Sequence, residues 1–152
     1  MTGFTSYMDI ALEEARAAAD RGEVPVGAVL VSPDGEILAR DGNRTREMND
    51  PTAHAEVLVI RKACATLGQE RLPGCELWVT LEPCPMCAMT VSAARIAKLV
   101  YGATDPKSGG IGQGPRIFEH AQAHHVPEVI EGVCESESSN LLKSFFSARR
   151  CC

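Results

Sequence analysis

The feature of this sequence that most limits its fold is the order in which helical and strand-like segments follow one another. Apolar residues recur at helical spacing in four segments, and five short apolar runs rich in β-branched residues lie between them. The helical segments are residues 5–21, 55–67, 86–97 and 139–150. The strand-like segments are residues 26–32, 36–40, 76–81, 98–103 and 128–133. The resulting order is α, β, β, α, β, α, β, β, α.

This order favours a mixed sheet, because a hairpin is followed by strand–helix–strand units. A Pro-Asp-Gly turn at residues 33–35 separates the first two strands and predicts the hairpin. The strands at residues 76–81 and 98–103 are joined through a helix, which makes them parallel, and a glycine-rich loop over residues 104–116 precedes the last strand. We therefore predict an α/β fold of three layers, in which a mixed five-stranded sheet carries helices on both faces. A chain of 152 residues has the length of one domain, so we expect a single domain over residues 1–152.

Two cysteines follow the third predicted strand directly, in the stretch LEPCPMC at residues 81–87. Cys84 and Cys87 have the spacing of a chelating pair, and they lie at a predicted helix start, where free N–H groups favour thiolate over thiol. Thiolate is the form that zinc binds. Strand, CxxC and helix is also the pattern of thioredoxin-type redox proteins, so the cysteines alone leave metal and redox chemistry equally open.

The stretch HAE at residues 54–56 supplies a second half to the pattern. His54 and Glu56 open the helix 55–67 and lie 30 and 28 residues before Cys84. A redox dithiol has no use for them. Each also has an ordinary explanation, since a histidine can cap a helix or fill a core, and a carboxylate in the first turn favours the helix dipole. Residues i and i+2 inside a helix point to different sides, so the two can share one site only in the first turn.

The number of available ligands distinguishes a structural zinc site from a catalytic one. A structural site takes four protein ligands, whereas a catalytic site takes three and leaves one position for water. Cys64 lies on the same helix as His54, about 15 Å further along it. Cys75 lies at one end of the third predicted strand, about 20 Å from the other end, which Cys84 follows. Neither cysteine can therefore join the other candidates. The histidines that loops could still bring to the site are those at positions 120, 124 and 125. The simplest set of ligands is His54, Cys84 and Cys87. A carboxylate beside the open position, which Glu56 would supply, moves protons in a hydrolase.

The pair of motifs, HAE followed by PCxxC, resembles the signature of the zinc-dependent cytidine and adenosine deaminase superfamily. The flanking stretches resemble its tRNA adenosine deaminase branch. The resembling stretches are residues 23–31, 42–47, 50–56, 80–87, 94–110 and 141–150. They follow one another in order and span nearly the whole chain. The paired motifs are specific for the superfamily. They do not distinguish its branches, because guanine and cytosine deaminases share the same core motif.

This resemblance implies a cytidine-deaminase-like fold with one Zn²⁺ per subunit, held by His54, Cys84 and Cys87. It implies hydrolytic deamination of adenosine to inosine at the wobble position of a tRNA anticodon, and the expected substrate is an arginine tRNA with the anticodon ACG. In that reaction a zinc-bound hydroxide attacks C6 of the base, while Glu56 is the catalytic proton shuttle. It also implies that the partners are a tRNA anticodon stem-loop and a second copy of the chain in a homodimer.

Three substrate contacts are expected by the same resemblance, and each has a structural alternative. Asn43 would hydrogen-bond the flipped base, although an asparagine after a glycine also makes a turn. Asp105 would border the pocket, although an Asp before Pro106 also starts a turn. Phe146, with Phe145, would stack on splayed anticodon bases, although both fit a helix core equally well. Basic residues that could contact phosphates are Arg44, Arg46, Lys143, Arg149 and Arg150.

Charge and composition exclude some classes of protein. The net charge of −5 argues only weakly against RNA binding, because local basic patches set the affinity. The longest stretch without a charged residue, residues 83–94, is shorter than the ~18 residues that suggest a membrane span. An odd count of seven cysteines is a poor disulfide framework. We therefore expect a cytoplasmic protein that does not enter a membrane.

Three classes of function remain open on the sequence. The first is the zinc deaminase, for which tRNA is favoured over a free base or nucleoside such as guanine, cytosine or cytidine. The second is a CxxC thiol–disulfide protein, which would hold no metal. The third is a binding module with a structural zinc, which would have four protein ligands and no water.

Overall fold

The computed structural model describes residues 6–150, except for the side chain of Arg150. Position 5, where the first helix is predicted to begin, lies outside the described residues, as does the Arg150 side chain that we considered for phosphate contact. The helices are α1 (Met8–Asp20), α2 (Ala55–Leu67), α3 (Pro85–Ala93) and α4 (Glu135–Arg150). The strands are β1 (Gly27–Val31), β2 (Ile37–Gly42), β3 (Glu76–Leu81), β4 (Lys98–Ala103) and β5 (Glu128–Ile130). One turn of 3-10 helix, Ile117–Glu119, lies between β4 and β5.

The five strands form one mixed sheet in the order β2-β1-β3-β4-β5. Strand β1 is antiparallel to both β2 and β3, and its pairing with β2 forms the predicted hairpin. Strands β3, β4 and β5 run parallel. The predicted mixed five-stranded sheet is therefore confirmed.

Helices cover both faces of the sheet, because successive side chains along each strand point to opposite sides. On one face Val29, Trp78 and Val100 form a core with Met8 and Leu12 of α1, and α4 packs beside α1. On the other face the alternate strand residues pack against α2 and α3. That second core includes Leu30, Leu77, Val79, Leu99 and Tyr101 of the strands with Val59 and Val91 of the helices. The predicted three-layer α/β/α arrangement is confirmed.

Two predicted elements end earlier in the structure, and each ends shortly before a residue with left-handed backbone. Helix α3 ends at Ala93 instead of residue 97, and Arg95 has a φ of 61°. Strand β5 ends at Ile130 instead of residue 133, and Gly132 has a φ of 82°. Helix α4 also begins four residues earlier than predicted, at Glu135.

At one edge of the sheet, perpendicular to the strands, the start of β1 lies beside the carboxyl ends of β2, β3 and β4. The end of β2 lies beside the start of β1, since Gly42 pairs with Gly27. The Gly27 N–H donates to Thr80 Oγ1 near the end of β3, over 3.2 Å. The end of β3 lies beside the end of β4, since Leu81 pairs with Ala103. The connections before β1 and after β2, β3 and β4 therefore all open at this edge, which is where ligands bind in sheets of this kind.

The described residues contain no helix with both the length and the apolar character that a bilayer crossing needs.

Candidate metal centre and active site

The starts of two helices meet at this edge of the sheet. His54 is the N-cap of α2 and Cys84 is the N-cap of α3, and both have extended backbone with ψ of 150° and 171°. Pro85 at the first position of α3 fits a helix start, where no N–H is needed. Neither N-cap side chain forms a capping hydrogen bond. Both side chains are therefore free to serve a site between the helices.

His54, Cys84 and Cys87 form a compact group of ligand atoms. The Nδ1 atom of His54 lies 3.6 Å from Cys84 Sγ and 3.4 Å from Cys87 Sγ. The three ligand atoms all lie within 4.8 Å of one another. Zinc–nitrogen and zinc–sulfur bonds of about 2.1 and 2.3 Å at a tetrahedral angle put N and S about 3.6 Å apart. The spacing and the donor set therefore both fit a zinc ion.

No fourth protein ligand joins this group among residues 6–150, where it is the only cluster of its kind. The histidines that the sequence left open are occupied elsewhere or lie apart from the group. His120 Nε2 lies 2.6 Å from the carbonyl oxygen of Pro115, and His125 Nε2 lies 2.7 Å from that of Ile96. A tetrahedral ion held by the three ligands would therefore keep one position without a protein ligand.

The two sulfurs differ in how readily they ionise. A hydrogen bond from Cys87, reinforced by His54, lowers the pKa of Cys84 to about 4 despite partial burial. The neighbouring Cys84 and burial raise the pKa of Cys87. The hydrogen bond to Cys84 raises the pKa of His54. A second negative charge on this buried pair of sulfurs is unfavourable unless a cation is nearby. A divalent metal ion would supply that positive charge.

Glu56 lies in the first turn of α2, two residues beyond His54, and the same cavity is lined by both side chains. Only 4% of Glu56 is exposed. Burial raises the pKa of its carboxyl group above the ordinary value. A carboxyl group with a raised pKa holds and releases a proton nearer to neutral pH, as general acid–base catalysis requires.

The cavity lined by His54 and Glu56, which we call the inner cavity, has a volume of about 210 Å³. Its polar lining consists of Asn43, His54, Glu56, Glu82, Cys84, Asp105 and Ser108. Asn43 is held through its backbone, because its N–H donates to Val26 O over 3.0 Å and its carbonyl accepts from Arg21 Nη2 over 3.0 Å. Its side-chain amide therefore stays available to the cavity.

Asp105 and Phe146 both line a second cavity of about 420 Å³, which we call the outer groove. It shares Val24, Leu81, Asp105 and Ser108 with the inner cavity. Asp105 does make the turn that its sequence suggests, since Oδ1 accepts the N–H groups of Lys107 and Ser108 over 3.1 and 3.0 Å. Phe146 is 43% exposed. It is therefore not a core residue of α4.

Among the basic candidates whose side chains are described, Lys143 is exposed and the three arginines fall into two groups. Arg44 is bound within the protein, at 2.8 Å from both Asp41 and Glu47. Arg46 Nη1 and Arg149 Nη2 both donate to the carbonyl of Gly22, over 3.3 and 3.1 Å. These last two arginines are exposed and border one shallow cleft with Arg21.

Two buried carboxylates beside the site were missed by the sequence reasoning. Glu82 accepts four backbone N–H groups from the chain after β4. Glu23 accepts those of Arg46 and Glu47 over 3.2 and 2.8 Å. A signal for Glu82 was its place between an apolar strand and a glycine-rich connection whose N–H groups have few local partners. Glu23, between Gly22 and Val24, gave no comparable signal.

Comparison with known families agrees with this geometry. Residues 1–103 match the model of the cytidine and deoxycytidylate deaminase zinc-binding region. The chain belongs to this deaminase family. We call His54, Glu56, Cys84 and Cys87 the metal corner, and all four lie within the matched deaminase region, at the starts of α2 and α3.

Similar proteins define the branch of the deaminase family. A tRNA-specific adenosine deaminase of Agrobacterium fabrum is 58% identical over 146 residues, which cover 96% of this chain and 95% of that protein. One of Bacillus subtilis is 47% identical over 150 residues, 99% of this chain and 92% of that protein. A solved structure from a study of A-to-I editing by tRNA:A34 deaminases is 60% identical, with a TM-score of 0.88, and covers 90% of this chain and 98% of that one. Within the deaminases, the chain thus belongs with the tRNA-specific adenosine deaminases.

Proposed function

We propose that residues 1–152 form a single zinc-dependent deaminase domain that converts adenosine to inosine at the wobble position of a tRNA anticodon. The observation that carries the proposal is the three-ligand cluster with a buried carboxyl group in the same small cavity. The similarity to tRNA-specific adenosine deaminases over nearly the whole chain supports the choice of substrate.

His54, Cys84 and Cys87 would hold the zinc ion. When bound, zinc lowers the pKa of a coordinated water toward about 7 and so makes a nucleophile available at neutral pH. Two thiolates balance the formal charge of Zn²⁺, so this effect is weaker than in a site with three neutral histidines. Much of the proton transfer therefore falls to a protein side chain.

Glu56 would carry those protons. Its carboxylate would accept a proton from the attacking water and deliver it to N1 of the adenine ring, while the oxygen of that water bonds to C6. Glu56 would then take the proton of the new C6 hydroxyl group and pass it to the amino group. The C–N bond breaks, ammonia leaves and C6 keeps the oxygen as a carbonyl, so water and adenosine give inosine and ammonia. Its burial keeps bulk water away and leaves this proton transfer to one group.

The inner cavity suits one flipped base. Its volume of about 210 Å³ is small, and the Asn43 amide can donate to and accept from a base edge. Bases in an anticodon loop are already partly unstacked, so flipping one costs only a few kcal/mol.

The outer groove favours RNA over a free base or nucleoside, because a lone base needs only the inner cavity. The groove continues from the inner cavity past Asp105 to Lys107 and the exposed Phe146. An exposed aromatic ring and a cationic side chain beside a base pocket suit the stacking and phosphates of neighbouring nucleotides.

The two non-deaminase alternatives have less support. A redox dithiol does not account for His54 at 3.4 Å from the buried Cys87. A structural zinc needs a fourth protein ligand, and the described residues offer none within reach.

We also propose that the chain works as a homodimer in the cytoplasm. Helix α3 leaves Met89 exposed, which supports a further packing surface beside the site. Five thiols at positions 64, 75, 84, 87 and 134 are free, which suits a reducing compartment. Sedimentation equilibrium should give twice the chain mass of 16.3 kDa, and a single-chain mass would contradict the dimer.

The decisive experiment incubates the zinc-loaded protein with an anticodon stem-loop RNA that carries ACG. Parallel reactions contain free adenosine, cytidine and guanine, and a stem-loop with another anticodon that begins with A. We expect inosine in the ACG stem-loop alone. Deamination of a free base or nucleoside without inosine in RNA would replace the proposal with the free-substrate alternative, and equal turnover of both stem-loops would remove the preference for the arginine anticodon.

A further inference from the structure

We propose that Glu82 is a positioning residue that holds the wall of the substrate site in place. The wall is the chain that follows β4, residues 105–113, which we call the pocket loop. Only the kinetic part of this proposal rests on the proposed function, because the contacts themselves are independent of the substrate.

Glu82 places a buried carboxylate at the base of the pocket loop. The residue directly follows β3, and 2% of it is exposed. Among the described residues it has no Lys, Arg or His ion-pair partner. Buried carboxylates without a cation need several hydrogen-bond donors to offset the loss of water. Its donors are all backbone N–H groups of the pocket loop.

Four N–H groups supply these hydrogen bonds. Oε1 accepts the N–H of Asp105 over 2.9 Å. Oε2 accepts those of Ile111, Gly112 and Gln113 over 3.0, 2.9 and 3.1 Å. One side chain thus ties both ends of the pocket loop, and hydrogen bonds to an ionised acceptor are about twice as strong as neutral ones.

The sheet register brings these groups together. Leu81 pairs with Ala103 across the parallel strands, and the N–H of Glu82 donates to Ala103 O over 2.8 Å. The pocket loop then packs so closely that glycine is required. A Cβ on Gly109 would lie 2.6 Å from Glu82 Cδ, and one on Gly110 would lie 2.6 Å from the Pro85 nitrogen at the start of α3.

The pocket loop forms one wall of both cavities. Asp105 and Ser108 line the inner cavity and the outer groove, and Lys107 lines the outer groove. Glu82 itself borders the inner cavity, but both of its oxygens are occupied by the pocket loop. Glu82 therefore acts on a substrate through the loop, while Cys84, two residues further on, belongs to the metal corner.

The test replaces Glu82 by Gln, which keeps the side-chain volume but turns one acceptor oxygen into an NH₂ donor. Hydrogen exchange of the zinc-loaded protein without substrate is followed by mass spectrometry. We expect about tenfold faster exchange in the peptide that covers residues 105–113, because a buried N–H group loses its acceptor. Exchange in β1, β3 and β4 should not change, and zinc should stay at one ion per chain.

Glu23→Gln provides the matched control, since Glu23 is also buried and holds backbone N–H groups on a different loop. That variant should speed exchange at Arg46 and Glu47 and leave the pocket loop unchanged. Glu82→Asp keeps the carboxylate on a shorter side chain and should restore part of the protection.

The kinetic readout separates positioning from a purely structural role. With the ACG stem-loop, Glu82→Gln should raise KM about tenfold and lower kcat less than about threefold, because the reacting groups are untouched. Unchanged protection of the pocket loop, faster exchange throughout the sheet, or a loss confined to kcat would each overturn the proposal. If the wild-type protein does not deaminate RNA, the proposed function fails, while the exchange experiment still decides whether Glu82 holds the loop.

Discussion

The metal corner and the outer groove lie side by side, yet the chain builds them in opposite ways. The metal corner uses His54, Glu56, Cys84 and Cys87 from the starts of two helices, and its ligands are buried or half-buried. The outer groove uses a loop and the distant helix α4, and its characteristic side chain, Phe146, is exposed. The difference indicates that the reacting groups are shielded from solvent, whereas the side chain that would meet the rest of the substrate stays exposed.

Replacement of a metal ligand should have the largest effect. Cys87→Ala removes a buried sulfur 3.4 Å from His54 Nδ1 and leaves two ligands. We expect zinc content well below one ion per chain and loss of measurable deamination, because two ligands do not hold a catalytic zinc. Metal analysis by plasma mass spectrometry, together with the stem-loop assay, checks this. Full zinc content in the variant would place the ion elsewhere.

Replacement of the carboxylate should remove turnover and keep the metal. Glu56→Gln preserves the shape of a buried side chain but cannot carry a proton. We expect kcat to fall by about 10²–10⁴, the range of general acid–base catalysis, with zinc still at one ion per chain. Single-turnover kinetics at saturating RNA measure the chemical step. Near-normal kcat with bound zinc would exclude Glu56 from proton transfer.

Truncation in the outer groove should affect RNA binding and leave the chemical step nearly intact. Phe146→Ala removes an exposed ring, so no core contact of comparable size is lost. We expect KM for the stem-loop to rise about tenfold, since base–aromatic stacking contributes about 1–3 kcal/mol. Ser147→Ala, an exposed residue on the same helix outside the groove lining, serves as the matched control. Equal effects of the two substitutions would mean that helix stability, and not stacking, is measured.

The smallest effect is expected at Asp41, which supports the loop that carries Asn43. Burial by itself would raise the pKa of Asp41, but hydrogen bonds from Lys62 and Arg44 outweigh it, so the pKa lies below the ordinary value. A lowered pKa stabilises the folded state above the unfolded pKa of about 3.9, and this stabilisation is lost as pH falls through the folded pKa. We expect Asp41→Asn to reduce the free energy of unfolding at pH 7 by about 1–3 kcal/mol.

Urea unfolding as a function of pH measures this effect. The difference between wild type and Asp41→Asn should shrink as the pH falls below the unfolded pKa of about 3.9, and it should vanish only below the lowered pKa of the folded carboxylate. A difference that stays constant down to acid pH would show that packing, and not charge, is responsible.

The same contrast explains how much the sequence could predict. The order of elements and the grouping of His54, Cys84 and Cys87 were predictable, because periodicity and short motifs act locally. Glu82 was not, since its four donors lie 23 to 31 residues further on and meet it only through the register of β3 and β4. The fixing of Asn43 by Arg21, 22 residues earlier, is non-local in the same way. The early end of α3 at Ala93 depends on the left-handed backbone of Arg95, which no glycine signalled.

The most direct test of the account is a zinc K-edge X-ray absorption spectrum of the zinc-loaded wild-type protein. We predict two sulfur ligands at about 2.3 Å and two nitrogen or oxygen ligands at about 2.0–2.1 Å, one of them from water, which an inhibitor that coordinates zinc should displace. A spectrum with a third sulfur, or with a second histidine in place of the water, would contradict a catalytic zinc held by His54, Cys84 and Cys87.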